Sequence, residues 1–490
     1  MENKILYRIY SGAFIAMCLV PSVLMPFFRP DEAKEKRKLA EAPKIRTEDG
    51  KLNAEYFSQF EDWFSEHFAF RQALVTADGR LKTAVFGTSP NKNVIYGSNG
   101  WLYYGETADN YLRLDTLTAH EISNIVHNLE MMRDYCTAQG ASFLFTVAPN
   151  KNTVYPENMP SNYVPAEGRS DLESLTNMLS GSGYYCDMKE VLLSAGSSIP
   201  LYHLTDTHWN NMGAYVGYTG LMKALGRDYI SCGGWTSRND RLGDLAAMIY
   251  PAEEAKDRQV YTDYPFTYTY LGNFRALDDI DIRTVSENGQ GSLLMFRDSY
   301  GEAILQYMAE TFASASFTRA ANYPMTGIGG EGGADTVILE IVERNLVNLQ
   351  KYAPLMAAPE TSLPEKPASV YAGRFSEREN QNIIDWTEFT VKAEPSGQYT
   401  HIYGELPCFF FRGGDDHRIL VTADGRTFEA FLCFEDKLLG REGERSAYGF
   451  SLYLPQDVTY TDLRMTVLNS GDTDICVTIP EDQINRKDDT

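Results

Sequence analysis

Basic residues are scarce in this chain of 490 residues: 44 lysines and arginines stand against 67 aspartates and glutamates, a formal net charge of -23. A phosphate backbone would be repelled on approach, so nucleic acid is not an expected partner. Histidine is rarer still, seven in all, and the seven cysteines form no CxxC and no Cys/His pair at metal-ligand spacing. A structural zinc site is therefore not expected, and no motif calls for another metal or a cofactor. Cys18 lies inside an apolar run. The remaining six, Cys136, Cys186, Cys232, Cys408, Cys433 and Cys476, are widely spaced and fit either disulfides in an oxidising compartment or buried free thiols. No internal repeat and no low-complexity tract occurs.

Charge is missing altogether from "IYSGAFIAMCLVPSVLMPFF", residues 9 to 28, which matches the ~20 residues needed to cross a bilayer core. Lys4 and Arg8 precede it and the mixed-charge stretch "RPDEAKEKRKLAE" comes after it. So short an N-terminal tail normally stays inside and sends the bulk of the chain out. A cleaved signal peptide competes, but its apolar region would be shorter and a small-x-small site should lie close behind, where none is evident. The expectation is a single-pass anchor in the cell membrane over residues 1–30, with the rest extracytoplasmic.

The chain is too long for one hydrophobic core, and its length fits two or three domains. Residues 31–118 read as a juxtamembrane helical segment and hairpin that pack on the domain C-terminal to them. In "EYFSQFEDWFSEHFAFRQALV" the aromatics Tyr56, Phe57, Phe60, Trp63, Phe64, Phe68 and Phe70 recur three and four apart, as the buried face of a helix requires. "VIYGSNGWLYYG", 94–105, places a turn between two strand-like runs. Over 119–350, continuous apolar runs such as "ASFLFTVAP", "GSLLMF" and "DTVILEI" alternate with helical patterns. This predicts an α/β domain with a mostly parallel sheet flanked by helices, whose site forms at the carboxyl ends of the strands. Residues 351–370 hold four prolines and read as a linker or a domain-crossing loop. Residues 371–490, with short alternating runs split by turns, predict an all-β sandwich.

Within the α/β region, "MFRDSYGEAIL" places Ser299 two residues past the end of an apolar run and at the start of a helical pattern. Ser299 is either a helix N-cap or a nucleophile whose oxyanion would be held by amides of the same turn, with Gly301 allowing close approach. A nucleophilic serine needs a base, and the base needs an orienting partner. His67, His120 and His127 fall in helical patterns and His401 and His417 in the β-rich tail, which leaves "LYHLTDTHWNNMGAY". There Asp206 and His208 lie two apart, so in an extended loop their side chains face the same way. The alternative is that Asp206 caps the helix beginning near Asn210 and His208 is a satisfied surface residue.

These residues carry a resemblance. "TDTHWN" is similar to the DxHW motif, and "RDSYG" to the D-S-[FY] block, of the alginate O-acetyltransferase AlgJ/AlgX-like proteins and their DHHW relatives, an SGNH-hydrolase-like superfamily. "KRKLAEAP", "EHFAFR", "VIYGSNGWLYYG", "APNKNTVYPENMP" and "DTVILEIVERNL" agree in order over roughly residues 36 to 350. Glu66 and Ala69 depart from the usual Asp and Pro of that block, away from the proposed triad.

The resemblance implies a circularly permuted SGNH-hydrolase-like fold and a catalytic triad of Asp206, His208 and Ser299. It further implies an extracytoplasmic enzyme moving acetyl groups onto a cell-envelope or exported polysaccharide, with a glycan acceptor and a membrane-bound O-acyltransferase as acetyl supplier. Lys151, Tyr155, Glu343 and Arg344 match positions bordering the site, with Tyr300 and Gly301 beside the nucleophile. A structural ion pair is the alternative for Glu343 and Arg344. Trp209, Tyr103, Tyr104 and Tyr155 are candidate sugar contacts, set against the commoner place of aromatics in a core. The sandwich is a candidate carbohydrate-binding module or a packing domain. An acetyl-esterase using the same triad and a non-catalytic envelope scaffold are the alternative functions.

Overall fold

The structure is a computed structural model describing residues 2–28, 38–47, 49–254, 256–365, 368–370, 390–433, 448–481 and 484–486. Most of the mixed-charge stretch after the apolar run, and the first residues of the C-terminal β region, lie outside the described residues. The apolar run forms helix α1 (Glu2–Leu24), whose Lys4–Leu24 part is long and apolar enough to cross a membrane, with none of its apolar window buried.

Helices α2 (Tyr56–His67) and α3 (Arg71–Phe86) come next. The expectation that the aromatic stripe of α2 is buried is corrected here: no residue of α2 is buried, and Phe57 is 83% exposed. Its rings stack on one another along the helix, Tyr56 on Phe60, Phe60 on Phe64 and Trp63 on His67. The periodicity therefore marks an aromatic stripe correctly, but no other part of the described chain covers it. Strands β1 (Val94–Tyr96) and β2 (Leu102–Tyr104) pair antiparallel, closing the hairpin foreseen around "GSNG".

Helix α4 (Ala119–Ala138) opens with a capping box between Thr118 and Glu121 and leads into β3 (Ser142–Ala148). Next come α5 (Asp171–Leu179), β4 (Tyr185–Cys186), α6 (Met188–Leu193) and α7 (Asn211–Ala224). A two-stranded antiparallel arm, β5 (Trp235–Leu242) with β6 (Lys256–Thr262), brackets the short helix α8 (Asp244–Ile249). Strands β7 (Thr269–Leu271), β8 (Asp281–Val285) and β9 (Ser292–Phe296), helix α9 (Gly301–Thr311), β10 (Ser314–Thr318) and β11 (Thr336–Val342) complete the region.

The seven-stranded sheet has the order β4-β3-β11-β9-β10-β8-β7. Its first five strands run parallel, β8 lies antiparallel beside β10, and β7 reverses again at the edge. One core packs α7 and α9 on one face, around Tyr218, Ile304, Tyr307 and Ile338. The other packs α4 and α5 on the opposite face, around Ile125, Leu175, Val337 and Leu339. Every residue of β11 is buried, as a central strand covered on both faces requires. This is the mostly parallel, helix-flanked sheet that the alternating pattern predicts.

The C-terminal β region forms a six-stranded and a four-stranded sheet that share one core, including Val391, Ile402, Leu452, Val421, Phe428 and Met465. It docks on α4, where Asn128 exchanges two 2.9 Å hydrogen bonds with the backbone of Leu432. The stretch 351–370 does not behave as a free linker. Ala353, Met356 and Ala358 are buried, and Glu360–Thr361 and Ser369–Val370 add strands to the six-stranded sheet, because the prolines leave room for short edge pairings. The six cysteines outside α1 are free thiols.

Candidate active site

Three neighbouring parallel strands, β3, β11 and β9, end side by side. They deliver Asn150 and Lys151, Glu343 and Arg344, and Arg297 to Ser299 to one edge of the sheet. The "LTDTHW" loop reaches that edge from in front of α7. It is held as a small hairpin by the Tyr202–Trp209 bridge, with His203 N–H donating to His208 C=O and Asn210 N–H to Leu201 C=O. Asn210, rather than Asp206, caps α7, accepting from the amides of Met212 and Gly213. Asp206 is thereby free for other partners.

Asp206 is fully buried. Its Oδ1 accepts from the backbone N–H of His208 at 3.0 Å and from His208 Nδ1 at 2.8 Å, so the i,i+2 spacing closes an Asx turn and orients the ring together. On the far side of that ring, His208 Nε2 lies 2.8 Å from Ser299 Oγ. With Nδ1–H donating to the carboxylate, Nε2 is the acceptor that faces the hydroxyl. Burial works against a charged His208. The Asp206 hydrogen bond and charge, with the charge of Asp244, outweigh it, and the ring is raised above its ordinary value of 6.5. Burial likewise opposes the Asp206 charge, but the His208 bonds and Arg241 hold this carboxyl well below the usual range.

Ser299 does not cap α9 with its side chain. Asp298 takes that duty: Oδ1 accepts from Tyr300 N–H at 2.8 Å, and Oδ2 accepts from Val342 N–H at 2.7 Å, pinning the turn to the end of β11. Behind it, buried Glu340 accepts from Asp298 N–H at 3.1 Å. Burial and the neighbouring Asp298 push Glu340 well above the usual carboxyl range. A side chain on Gly301 would strike Arg297 and Glu340. That glycine is needed for the close packing of the start of α9 on Arg297 and Glu340.

The remaining expected site residues divide sharply. Lys151 is buried, and its Nζ donates to the carbonyls of His203, Leu204 and Asp206 at 3.0, 3.2 and 2.7 Å, fastening the loop from below. Burial lowers its pKa to about 7 against the pull of nearby carboxylates. Tyr300 is fully buried and donates to Thr207 C=O at 2.9 Å. Arg344 lies with its guanidinium 5.7 Å from the Tyr300 ring, and its Nη1 is buried without an acceptor among the described residues.

Trp209 and Tyr103, expected as sugar contacts, are 2% and 0% exposed. Their polar tips serve the fold, Trp209 Nε1 donating to Tyr300 C=O at 3.0 Å and Tyr103 Oη to Tyr155 C=O at 2.6 Å. Neither leaves a face open for stacking. Tyr155 is half-buried, its hydroxyl accepting from Leu201 N–H. Glu343 accepts from Asn150 N–H and Thr153 Oγ at 2.8 and 2.7 Å, and burial raises it to about 7.

Two participants have no signal in the motifs. Arg241 reaches Asp206 Oδ2 with Nε at 3.0 Å and Nη2 at 2.9 Å. It sits just past an irregularity in β5 between Asn239 and Arg241, the kind of bulge that re-aims a side chain. Asp244, at the start of α8, donates its N–H to Asp206 Oδ2 at 3.3 Å, accepts from Thr207 N–H at 2.7 Å, and lies 3.7 Å from His208 Nδ1. Asp206, His208 and Asp244 cluster closely enough to ligate a cation. Both oxygens of Asp206 already face N–H donors, one of them a guanidinium, so a cation would have to displace Arg241. These residues fit a hydrogen-bonded relay better than a metal centre.

The family description "SGNH hydrolase-like domain, acetyltransferase AlgX" matches residues 94–263. A stretch of 179 residues, 36% of this chain, is 26% identical to the probable alginate O-acetylase AlgJ of Pseudomonas syringae pv. tomato. It spans 44% of that relative's length. Among solved structures, Bacillus cereus PatB1 is similar over 52% of this chain and 97% of its own, at 18% identity and a TM-score of 0.42. A DHHW family protein from Eubacterium siraeum is similar over 53% and 99%, at 15% identity and a TM-score of 0.38. Over residues 94–263 this chain is thus similar to the SGNH hydrolase-like acetyltransferase domain of AlgX, and over 179 residues to AlgJ, as the ordered motifs imply.

Proposed function

We propose that this protein is an extracytoplasmic O-acetyltransferase, anchored by α1, that moves acetyl groups onto hydroxyls of a cell-envelope or exported polysaccharide through an acetyl-Ser299 intermediate. The observation that carries this reading is the continuous line from Asp206 Oδ1 through both nitrogens of His208 to Ser299 Oγ, with 2.8 Å at each contact of the ring. Such a line lets the base accept a proton while the carboxylate stabilises the charge that forms.

In the first half, His208 Nε2 takes the Ser299 proton as Oγ bonds to the acetyl carbonyl carbon. The proton then passes to the leaving oxygen as the donor's C–O bond breaks. In the second half a sugar hydroxyl gives its proton to His208 and attacks the acetyl carbon, and Ser299 departs with that proton. Tyr300 N–H is committed to Asp298 and Glu302 N–H points to Ser299 C=O. We assign the amides of Ser299 and Gly301 to the oxyanion, with Arg344 as the nearby cation. Lys151, Arg241 and Asp244 keep the loop and Asp206 in place. The similarity to AlgJ and AlgX supports a glycan acceptor and a membrane-bound O-acyltransferase as acetyl source.

The test supplies the full chain in detergent with an acetyl ester, with and without oligosaccharide. Acetylated sugar is the expected product. Acetate release that no glycan alters points to an esterase with the same triad, and no turnover at all to a scaffold.

A further inference from the structure

Helix α3 is inside out. The residues it buries are Thr76, Gly79 and Thr83, a small polar face seated on α8 and the segment just beyond it. A side chain on Gly79 would collide with the Ile249 carbonyl. Thr76 Oγ accepts from Ala252 N–H at 2.9 Å, Thr83 Oγ accepts from Tyr250 Oη at 3.0 Å, and Arg80 pairs with Glu253. The opposite face carries Leu74, Leu81 and Val85, continuing from Phe70 at helical spacing, with exposures of 44%, 61%, 61% and 43%. The one charge on that stripe, Asp78, is paired with Lys82 at 2.8 Å. A helix that buries threonine and exposes leucine is made for an apolar surface outside the described fold.

What covers the stripe is indicated by what it touches at its start. The amide of Ala69, at the α2–α3 corner, donates to Pro21 C=O of α1 at 3.1 Å, and the Phe28 and Phe70 rings meet at 4.6 Å. The stripe thus begins where the apolar helix ends. Phe27 and Phe28 are exposed around the same corner, the aromatic crowding found at the depth of lipid headgroups. Arg71 and Lys82 flank the apolar face of α3, where cationic tips reach toward headgroups.

We infer that α3 lies in the headgroup–acyl boundary of the bilayer that α1 crosses, with Phe70, Leu74, Leu81 and Val85 facing the acyl chains. This rests on the reading of α1 as an anchor and adds a second, parallel contact. It also gives the site a floor. The next layer above α3 is α8, whose first residue Asp244 bonds both Thr207 and Asp206, so a bilayer-seated α3 sets the height of His208 above the membrane.

The test places an extra tryptophan in the full chain, Leu81→Trp in α3 or Leu19→Trp in α1. Each variant is reconstituted in phosphatidylcholine/phosphatidylglycerol vesicles containing lipids brominated either near the glycerol or at mid-chain. Fluorescence is read as the difference from the parent chain, which has five tryptophans of its own. Leu81→Trp is expected to be quenched at least about twofold more by the shallow bromines than by the deep ones, as an interfacial helix requires, and Leu19→Trp the reverse. Quenching of Leu19→Trp without any at Leu81 overturns the inference while the anchor stands, and cross-linking through α3 would then identify a second copy as the occupant. Quenching at Leu81 alone keeps the interfacial helix and removes the anchor. Quenching at neither overturns both.

Discussion

Aromatic residues crowd two parts of this protein, and they do opposite work. Around the candidate site four large rings are buried and their polar tips are tied to backbone carbonyls: Trp209 to Tyr300, Tyr300 to Thr207, Tyr202 to Pro149, Tyr103 to Tyr155. Each bond joins two segments far apart in the chain, so the rings act as rivets for the loop bearing Asp206 and His208. Among the described residues the rings of α2 stack along their own helix, and none is buried. A ring held by packing plus a hydrogen bond fixes geometry, whereas a ring stacked on its neighbours and open on one side is available to a surface.

That contrast is sharpened first at the nucleophile. Ser299→Ala removes the donor end of the relay and nothing else, so acetyl-ester turnover is expected to fall by at least about 10³-fold while the melting temperature stays put. A melting shift comparable to that of a core variant would contradict the view that Ser299 is held by its surroundings without supporting them. Tyr300→Phe cuts one rivet. The Thr207 carbonyl loses its partner, and a stability loss of about 1–2 kcal/mol, read by chemical denaturation, should accompany a smaller fall in kcat as the loop loosens.

Arg241→Met addresses tuning. Neutral His208 is the base, so kcat/KM should fall as pH drops through its folded value, which lies above 6.5 because the Asp206 and Asp244 contributions outweigh burial. Arg241 opposes that rise, and its removal should move the acid limb of the pH profile further toward alkaline pH. A shift toward acid would contradict the arrangement. The groups facing the ring are Asp206 from its own loop, Asp244 from α8 and Arg241 from the β5–β6 arm. The smallest effect belongs to the other region: Phe57→Ser in detergent should change unfolding stability by less than about 0.5 kcal/mol, since the ring is 83% exposed. A loss as large as that of Tyr300→Phe would erase the distinction.

The same contrast separates what is legible in the sequence from what is not. Asp206, His208 and Ser299 can be read because their geometry is local, an i,i+2 pair and a residue just past a strand, and the fold only has to bring two short loops together. The parallel sheet is legible because β3, β9 and β11 are continuous apolar runs. Arg241 and Asp244 are not, since they arrive from a polar, exposed arm whose pattern resembles any surface hairpin. Trp209 and Tyr103 lie beside the site in sequence terms, but periodicity does not say which side of a loop faces water. For α2, conversely, the periodicity is right, but none of its residues is buried. The prolines of 351–370 look like a linker, yet Ala353, Met356 and Ala358 find the core.

The role of Ser299 as the acyl-accepting nucleophile of this relay can be read by intact-protein and peptide mass spectrometry, after rapid acid quench of the full chain with an acetyl ester. A single acetyl adduct is expected on the peptide containing Ser299, absent from Ser299→Ala and discharged when a sugar acceptor is added. An adduct on another residue, or turnover undiminished in Ser299→Ala, would contradict that role.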